Sequence, residues 1–247
     1  MIVLKSEQEI DKMRRAGELT AQARDYVASL VRAGVTTREL DAAARRFIEE
    51  RGGTPSFLGY QGYPASICTS VNGVVVHGIP GRERLREGDI ISLDLGALLD
   101  GYHGDTAITV AVGEVPERTK ELLRVTREAL YAGIAEARPG RHLGDISHAV
   151  QEVAEGGGFS VVVDYVGHGI GREMHEDPQV PNHGPAGRGV LLRRGMVLAI
   201  EPMVNQGGAD VRVLEDGWTV ETVDREPSAH FEHTVAIGDP PEILTAP

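Results

Sequence analysis

The chain has 247 residues, 41% apolar and 25% charged, which is ordinary for a soluble globular protein and long enough for one large domain or two small ones. A formal net charge of −12 argues against a general attraction to nucleic acid or anionic membranes. The single cysteine, Cys68, excludes an internal disulfide and a thiolate zinc cluster, and fits a reducing, cytoplasmic setting. The amino terminus, MIVLKSEQEIDKMRRAGE, has no basic start followed by an apolar core, and no later run approaches the ~20 apolar residues a membrane helix needs. The mature chain is expected to begin at Met1.

Ser6 and Glu9 form a capping-box pattern that opens a first helix. Its apolar positions are Ile10, Met13, Ala16, Thr20, Ala23, Val27 and Leu30, and it stops at Gly34. A second helix begins at Thr36 with Glu39 as reciprocal cap, buries Leu40, Ala43, Phe47 and Ile48, and ends at Gly52-Gly53. Strands are expected between about 66 and 112, punctuated by Asn72-Gly73, Glu87-Gly88 and Asp100-Gly101. Pro116 opens a third helix running to about Ala137, and Pro139-Gly140 leads to a fourth that ends at Gly156-Gly157-Gly158. Further strands are expected near 159–166, 196–201, 209–214, 217–222 and 231–237, with Asp216-Gly217 as a hairpin signal.

A shift of 106 residues lays Gly34, Leu40, Ala43 and Phe47 onto Gly140, Ile146, Ala149 and Val153, so a turn and an apolar helix face recur in register. Resemblance among amphipathic helices in general is the competing explanation. With no low-complexity linker, the expectation is one domain of two pseudo-symmetric halves, about 1–115 and 116–247.

If Asp100-Gly101 is a two-residue hairpin loop, the numbers of facing residues sum to 201. Leu99 then faces Tyr102, Asp94 faces Ala107, and Asp105 is a diagonal neighbour of Asp94 on the same face. Two like charges so close call for a cation between them, unless both are solvated hairpin aspartates. Asp100, in the loop, does not join them. His168 in GHGIG and Glu201 in AIEPM are weaker signals: taken alone, a turn residue and a strand end. Glu232 in HFEHT interrupts an apolar run and needs a metal, a cation or solvent. Four carboxylates and one imidazole suit Mn²⁺, Fe²⁺, Co²⁺ or Zn²⁺ and offset the charge of two such ions.

Other motifs fail. The 167–171 glycine run has Arg172 where a dinucleotide fingerprint needs its third glycine, no Walker sequence is present, and HEDPQ at His175-Glu176 is not HExxH. Cys68 has no persuasive base and reads as a buried small residue.

The strings VNGVVVHGIP, ISLDLGALLDGYHGDTA, GHGIGREMHEDPQVPN, AIEPM and FEHTV, in this order and spacing, resemble the type I methionine aminopeptidases over nearly the whole chain. The resemblance implies the "pita-bread" α/β (α+β) fold, with two helix pairs and antiparallel sheet around a dinuclear metal site. By that resemblance Asp105 and Glu232 bridge the ions, Asp94 chelates one, and His168 and Glu201 complete the other. It also implies removal of an initiator methionine by a metal-activated water. Glu201 would be the proton shuttle, His175 would stabilise the tetrahedral intermediate, and His77 would contact the scissile amide nitrogen or the adjoining residue.

The methionine slot implied in the same way is walled by Tyr60, Tyr63, Trp218 and His77. Phe57 stands where some relatives have a small residue or cysteine, and Met174 where several have an aromatic. Substrates would be nascent chains with Gly, Ala, Ser, Thr, Cys, Pro or Val second, met near the ribosome by a cytoplasmic monomer. The chain has neither the cysteine-rich zinc segment nor the helical insertion of other classes and resembles the compact bacterial form. The rival readings are an X-Pro aminopeptidase or prolidase-like hydrolase of the same fold, and a non-catalytic module that binds ribosomes, histones or RNA.

Overall fold

The computed structural model describes residues 1–246. In chain order the elements are α1 (Glu7–Ser29), α2 (Thr37–Glu49), β1 (Thr54–Pro55), β2 (Cys68–Val71), β3 (Val74–Val76), β4 (Ile90–Leu99) and β5 (Tyr102–Ala111). These are followed by α3 (Glu117–Glu136), α4 (Leu143–Gly156), β6 (Ser160–Val161), β7 (Gly167–Gly169), β8 (Glu176–Val180), β9 (Val197–Ile200) and β10 (Met203–Asn205). The chain closes with β11 (Val211–Val213), β12 (Val220–Thr222), β13 (Ser228–His230), β14 (Glu232–Ala236) and β15 (Glu242–Ile243).

Both expected capping boxes form. Ser6 and Thr36 accept the backbone N–H groups of Glu9 and Glu39, whose carboxylates reach back to the cap N–H groups. α1 ends at Ser29, earlier than the glycine signal, so Leu30 caps the helix instead of joining its buried face. Phe47 is also less buried than the pattern implies: it lies between the Tyr26 ring and the Arg51 guanidinium. α2 and α4 start 106 residues apart, after glycines at φ 89° and 88° respectively.

The main sheet has nine strands in the order β1-β4-β5-β14-β9-β7-β8, with β15 on β14 and β2 on β4. Leu93 and Leu95 of β4 pack with Leu40 and Ile48 of α2 and Val27 of α1, while Leu198, Ile200 and Val235 pack with Leu122, Leu130 and Ile146 of α3 and α4. The sheet residues between these apolar positions point the other way. The Asp100-Gly101 hairpin forms with Leu99 opposite Tyr102 and Asp94 opposite Ala107.

That register decides which side chains meet. Asp94 faces Ala107, which faces Glu232, in one row across the sheet. In the neighbouring row Gly96 faces Asp105, and Thr234 faces Ala199, which faces His168. Cross-strand partners share a face, so all four candidate ligands of these rows lie on the face turned away from the helices.

Candidate metal centre

The β5–β14 pairing is short, and threonine hydroxyls extend it. Thr234 Oγ1 accepts from Asp105 N–H at 3.0 Å and donates to Asp105 C=O at 2.8 Å. Thr109 Oγ1 treats His230 in the same way, accepting from its N–H and donating to its C=O, both at 2.8 Å. A threonine side chain thus takes up both backbone groups of Asp105 and of His230 where the site opens.

His168 lies in a strand, not a turn. β7 runs between β8 and β9, and its glycines exist for want of room. A Cβ at Gly167 would lie 2.3 Å from Ala199 O, and one at Gly169 2.2 Å from Asp177 O. His168 Nδ1 lies 2.9 Å from Gly169 C=O, which fixes the proton there and turns the Nε2 lone pair into the site. Glu201 follows β9 directly, its backbone carbonyl held by Asn182 Nδ2 at 3.0 Å.

Asp105, His168 and Glu232 are buried and can each place a ligand atom within 4.8 Å of the others. His168 Nε2 is 3.8 Å from Asp105 Oδ2 and 3.6 Å from Glu201 Oε1. Asp105 Oδ1 and Glu232 Oε1 are buried with no hydrogen-bond partner among the described residues. Burial, reinforced by the neighbouring carboxylates, pushes Asp105 and Glu232 well above the usual carboxylate range. Burial likewise raises Asp94 to about 7 and Glu201 to about 8, and lowers His168 to about 3. Orphaned oxygens, crowded like charges and an imidazole lone pair aimed at them are the conditions a divalent cation relieves, so this donor set fits such an ion.

Every residue singled out from the sequence lines one cavity of about 230 Å³: Asp94, Asp105, His168, Glu201 and Glu232 at its floor, with Phe57, Tyr60, Tyr63, His77, His175 and Trp218 above. His77 takes a left-handed backbone, φ 60°, uncommon for a residue with a Cβ, and its ring stands edge-on to Tyr165 and Trp218. His175, exposed at the rim, has Nδ1 2.8 Å from the Tyr60 hydroxyl and its ring 4.1 Å from that of His168. Tyr63, Phe57, Met174 and Cys68 form a small apolar cluster with Trp218 packed on it. Cys68 is buried, and burial raises its thiol, as its reading as a small core residue requires. The sequence reading passed over His230, which is 2% exposed with Nε2 3.5 Å from Glu201 Oε2. It also passed over Gln61, on the cavity wall at φ 49°. Lone polar residues in an apolar strand or a turn carry no spacing signal.

Residues 11–239 match the model of metallopeptidase family M24. The chain belongs to metallopeptidase family M24. Among curated relatives of this M24 chain, methionine aminopeptidase 1 of Bacillus subtilis is 53% identical over 237 residues, 96% of each chain. The crystal structure of methionine aminopeptidase from Thermotoga maritima superimposes with TM-score 0.98 at 50% identity, and that from Rickettsia prowazekii with TM-score 0.98 at 44%, each covering 100% of both chains. The Pyrococcus horikoshii prolidase is more distant, with TM-score 0.81 and 25% identity, and only 64% of its length is matched. The M24 chain thus has the expected pita-bread fold, and within the family it aligns end to end with methionine aminopeptidases.

Proposed function

We propose that this M24 enzyme removes methionine from the amino terminus of polypeptides, using two divalent cations held by Asp94, Asp105, His168, Glu201 and Glu232. The observation that carries the reading is the buried meeting of Asp105, His168 and Glu232, with orphaned carboxylate oxygens, at the floor of a cavity whose wall is aromatic and thioether. Full-length similarity to methionine aminopeptidases supports it and favours it over the X-Pro peptidases. Mn²⁺, Fe²⁺, Co²⁺ and Zn²⁺ all suit this donor set.

In this reading Asp105 and Glu232, on the neighbouring strands β5 and β14, would be shared by the ions, with Asp94 helping to hold one and His168 and Glu201 the other. Once bound there, such ions would supply an acidified water and polarise the peptide carbonyl. Glu201 would take the proton of the attacking water and return it to the leaving amine. His175 projects from the rim toward the forming oxyanion, held by Tyr60. His77 is lowered to about 4, first by burial and then by the neighbouring histidines His230 and His175, and so stays neutral at the scissile amide nitrogen. Tyr60, Tyr63, Phe57 and Trp218 wall the methionine slot.

The reading extends to one domain built of halves about 1–115 and 116–247, supported by the sheet that runs through both. It includes a cytoplasmic monomer acting on nascent chains near the ribosome. No helix among the described residues is long and apolar enough to cross a membrane.

The test is hydrolysis of Met-Ala-Ser, Met-Leu-Ser and Ala-Pro-Ser by chelator-stripped protein, with Mn²⁺ or Co²⁺ titrated back anaerobically. Metal-dependent methionine release from Met-Ala-Ser alone is expected. Preferential cleavage of Ala-Pro-Ser would move the enzyme to X-Pro substrates, and no turnover with either metal would leave a binding module.

A further inference from the structure

The Glu201 carboxylate stands between two imidazoles, and the two are not equivalent. His168 Nε2 lies 3.6 Å from Oε1 and His230 Nε2 lies 3.5 Å from Oε2. The His168 ring proton is committed to Gly169 C=O through Nδ1, so its Nε2 has no hydrogen to offer Oε1. His230 Nε2 is buried and has no hydrogen-bond partner among the described residues. A buried imidazole nitrogen left unpaired is costly. The acceptors that face it are the carboxylates of Glu201 and, by its electrostatic influence, Asp94.

We propose that His230 is a positioning residue for Glu201: its Nε2–H donates to Oε2 and leaves Oε1 as the oxygen that reaches the metal and the water. The inference rests on the role given to Glu201 above. At 3.5 Å the pair is longer than a formed bond, and such contacts in unliganded sites commonly tighten when the site is engaged. His230 itself has little freedom. Its backbone N–H and C=O are both tied to Thr109 Oγ1, and Ser92 Oγ lies 2.8 Å from that hydroxyl, braced from the next strand. It also pairs with Met203 across β10 and β13, the strand that begins just beyond Glu201 and Pro202. The donor is therefore carried on β13 and the acceptor stands two residues before β10, the strand with which β13 pairs.

A ligand role for His230 is the competing assignment. His230 Nε2 faces Glu201 from the Oε2 side, at 3.5 Å, whereas His168 Nε2 faces Oε1 at 3.6 Å. The two roles also require opposite states of one atom, a proton on Nε2 for positioning and a bare lone pair for ligation.

That difference can be read directly. Full-length protein with ¹⁵N-labelled histidine, loaded with Zn²⁺, is examined by long-range ¹H–¹⁵N correlation, the His230 signals being assigned with His230→Gln. The expected result is a protonated Nε2. An unprotonated Nε2 overturns the proposal without requiring any variant to be active. Kinetics on Met-Ala-Ser give the second arm. His230→Leu should lower kcat about 10–100-fold with KM changed less than about twofold, as for other residues that orient a metal ligand, and weaken one of two Co²⁺ ions in a calorimetric titration. His230→Gln, which keeps a donor, should recover most of both. Wild-type kcat and Co²⁺ affinity in His230→Leu, or a His230→Gln variant no better than His230→Leu, would sink the idea. Glu201→Gln separates the layers: if it retains full kcat, the reading of Glu201 itself is wrong. If it is inactive while His230→Leu is not, only the positioning role falls.

Discussion

Asp105 and Glu232 stand in adjacent rows on the neighbouring strands β5 and β14, and each has a buried oxygen with no hydrogen-bond partner among the described residues. With ligand atoms within 4.8 Å of each other, two such buried carboxylates can both stay ionised only if a cation is shared between them. Asp105→Ala should therefore abolish stoichiometric Mn²⁺ binding and turnover together. His175 is different in kind: it sits at the rim, hydrogen-bonded to Tyr60 with its ring tilted beside that of His168, outside the buried cluster. His175→Ala should keep its metal, measured by calorimetry, while kcat for Met-Ala-Ser falls on the order of 10²–10³-fold, the usual cost of one oxyanion donor. A His175→Ala enzyme with unchanged kcat would remove that assignment, and an Asp105→Ala enzyme with full metal content would remove the bridging one.

At the scale of elements, the site depends on how β5 and β14 are held apart. Thr234 Oγ1 closes both backbone groups of Asp105, at 3.0 and 2.8 Å. Thr234→Val keeps shape and volume but leaves a buried N–H and C=O unpaired, so about 1–3 kcal/mol of stability should be lost, and metal affinity with it. Denaturant unfolding in chelator and calorimetric titration with Mn²⁺ check the two effects separately. Unchanged stability and affinity would mean that the strands re-pair directly. The hairpin that places Asp94 and Asp105 was legible because Asp100-Gly101 is a local turn signal, and period-two alternation transmits its register along ten residues of each strand. The capping boxes were legible for the same local reason. β7 and β8 were not: one is Gly-His-Gly and the other carries Pro178, compositions that read as loop. Their strand character comes from crowding by Ala199 and Asp177, which only tertiary contact supplies.

At the scale of the whole molecule, the ligands are 138 residues apart in the chain, from Asp94 to Glu232, and motif order alone could name them only through resemblance. Local pattern could not predict that four carboxylates share one buried floor, and that burial couples the metal to folding. Without metal, Asp94 is raised to about 7 and Glu201 to about 8, with Asp105 and Glu232 also well above their ordinary values. In the unfolded chain these groups lose their protons near pH 4. Between that pH and the raised values the folded state holds more protons than the unfolded one, so stability falls as pH rises. The contribution of protonated Asp94 and Glu201 is thus lost as pH rises through about 7 and about 8. Buried histidines act oppositely and lower down: His77 at about 4 and His168 at about 3 stay neutral when folded, so their cost appears as pH falls through about 6.5, where unfolded histidine protonates. Saturating Mn²⁺ neutralises the carboxylates and meets less proton competition at high pH. The rise in Tm on adding Mn²⁺ to chelator-stripped protein should accordingly be larger at pH 8.5 than at pH 6.5, by differential scanning calorimetry. An equal or smaller rise at pH 8.5 would show that these carboxylates do not carry the metal.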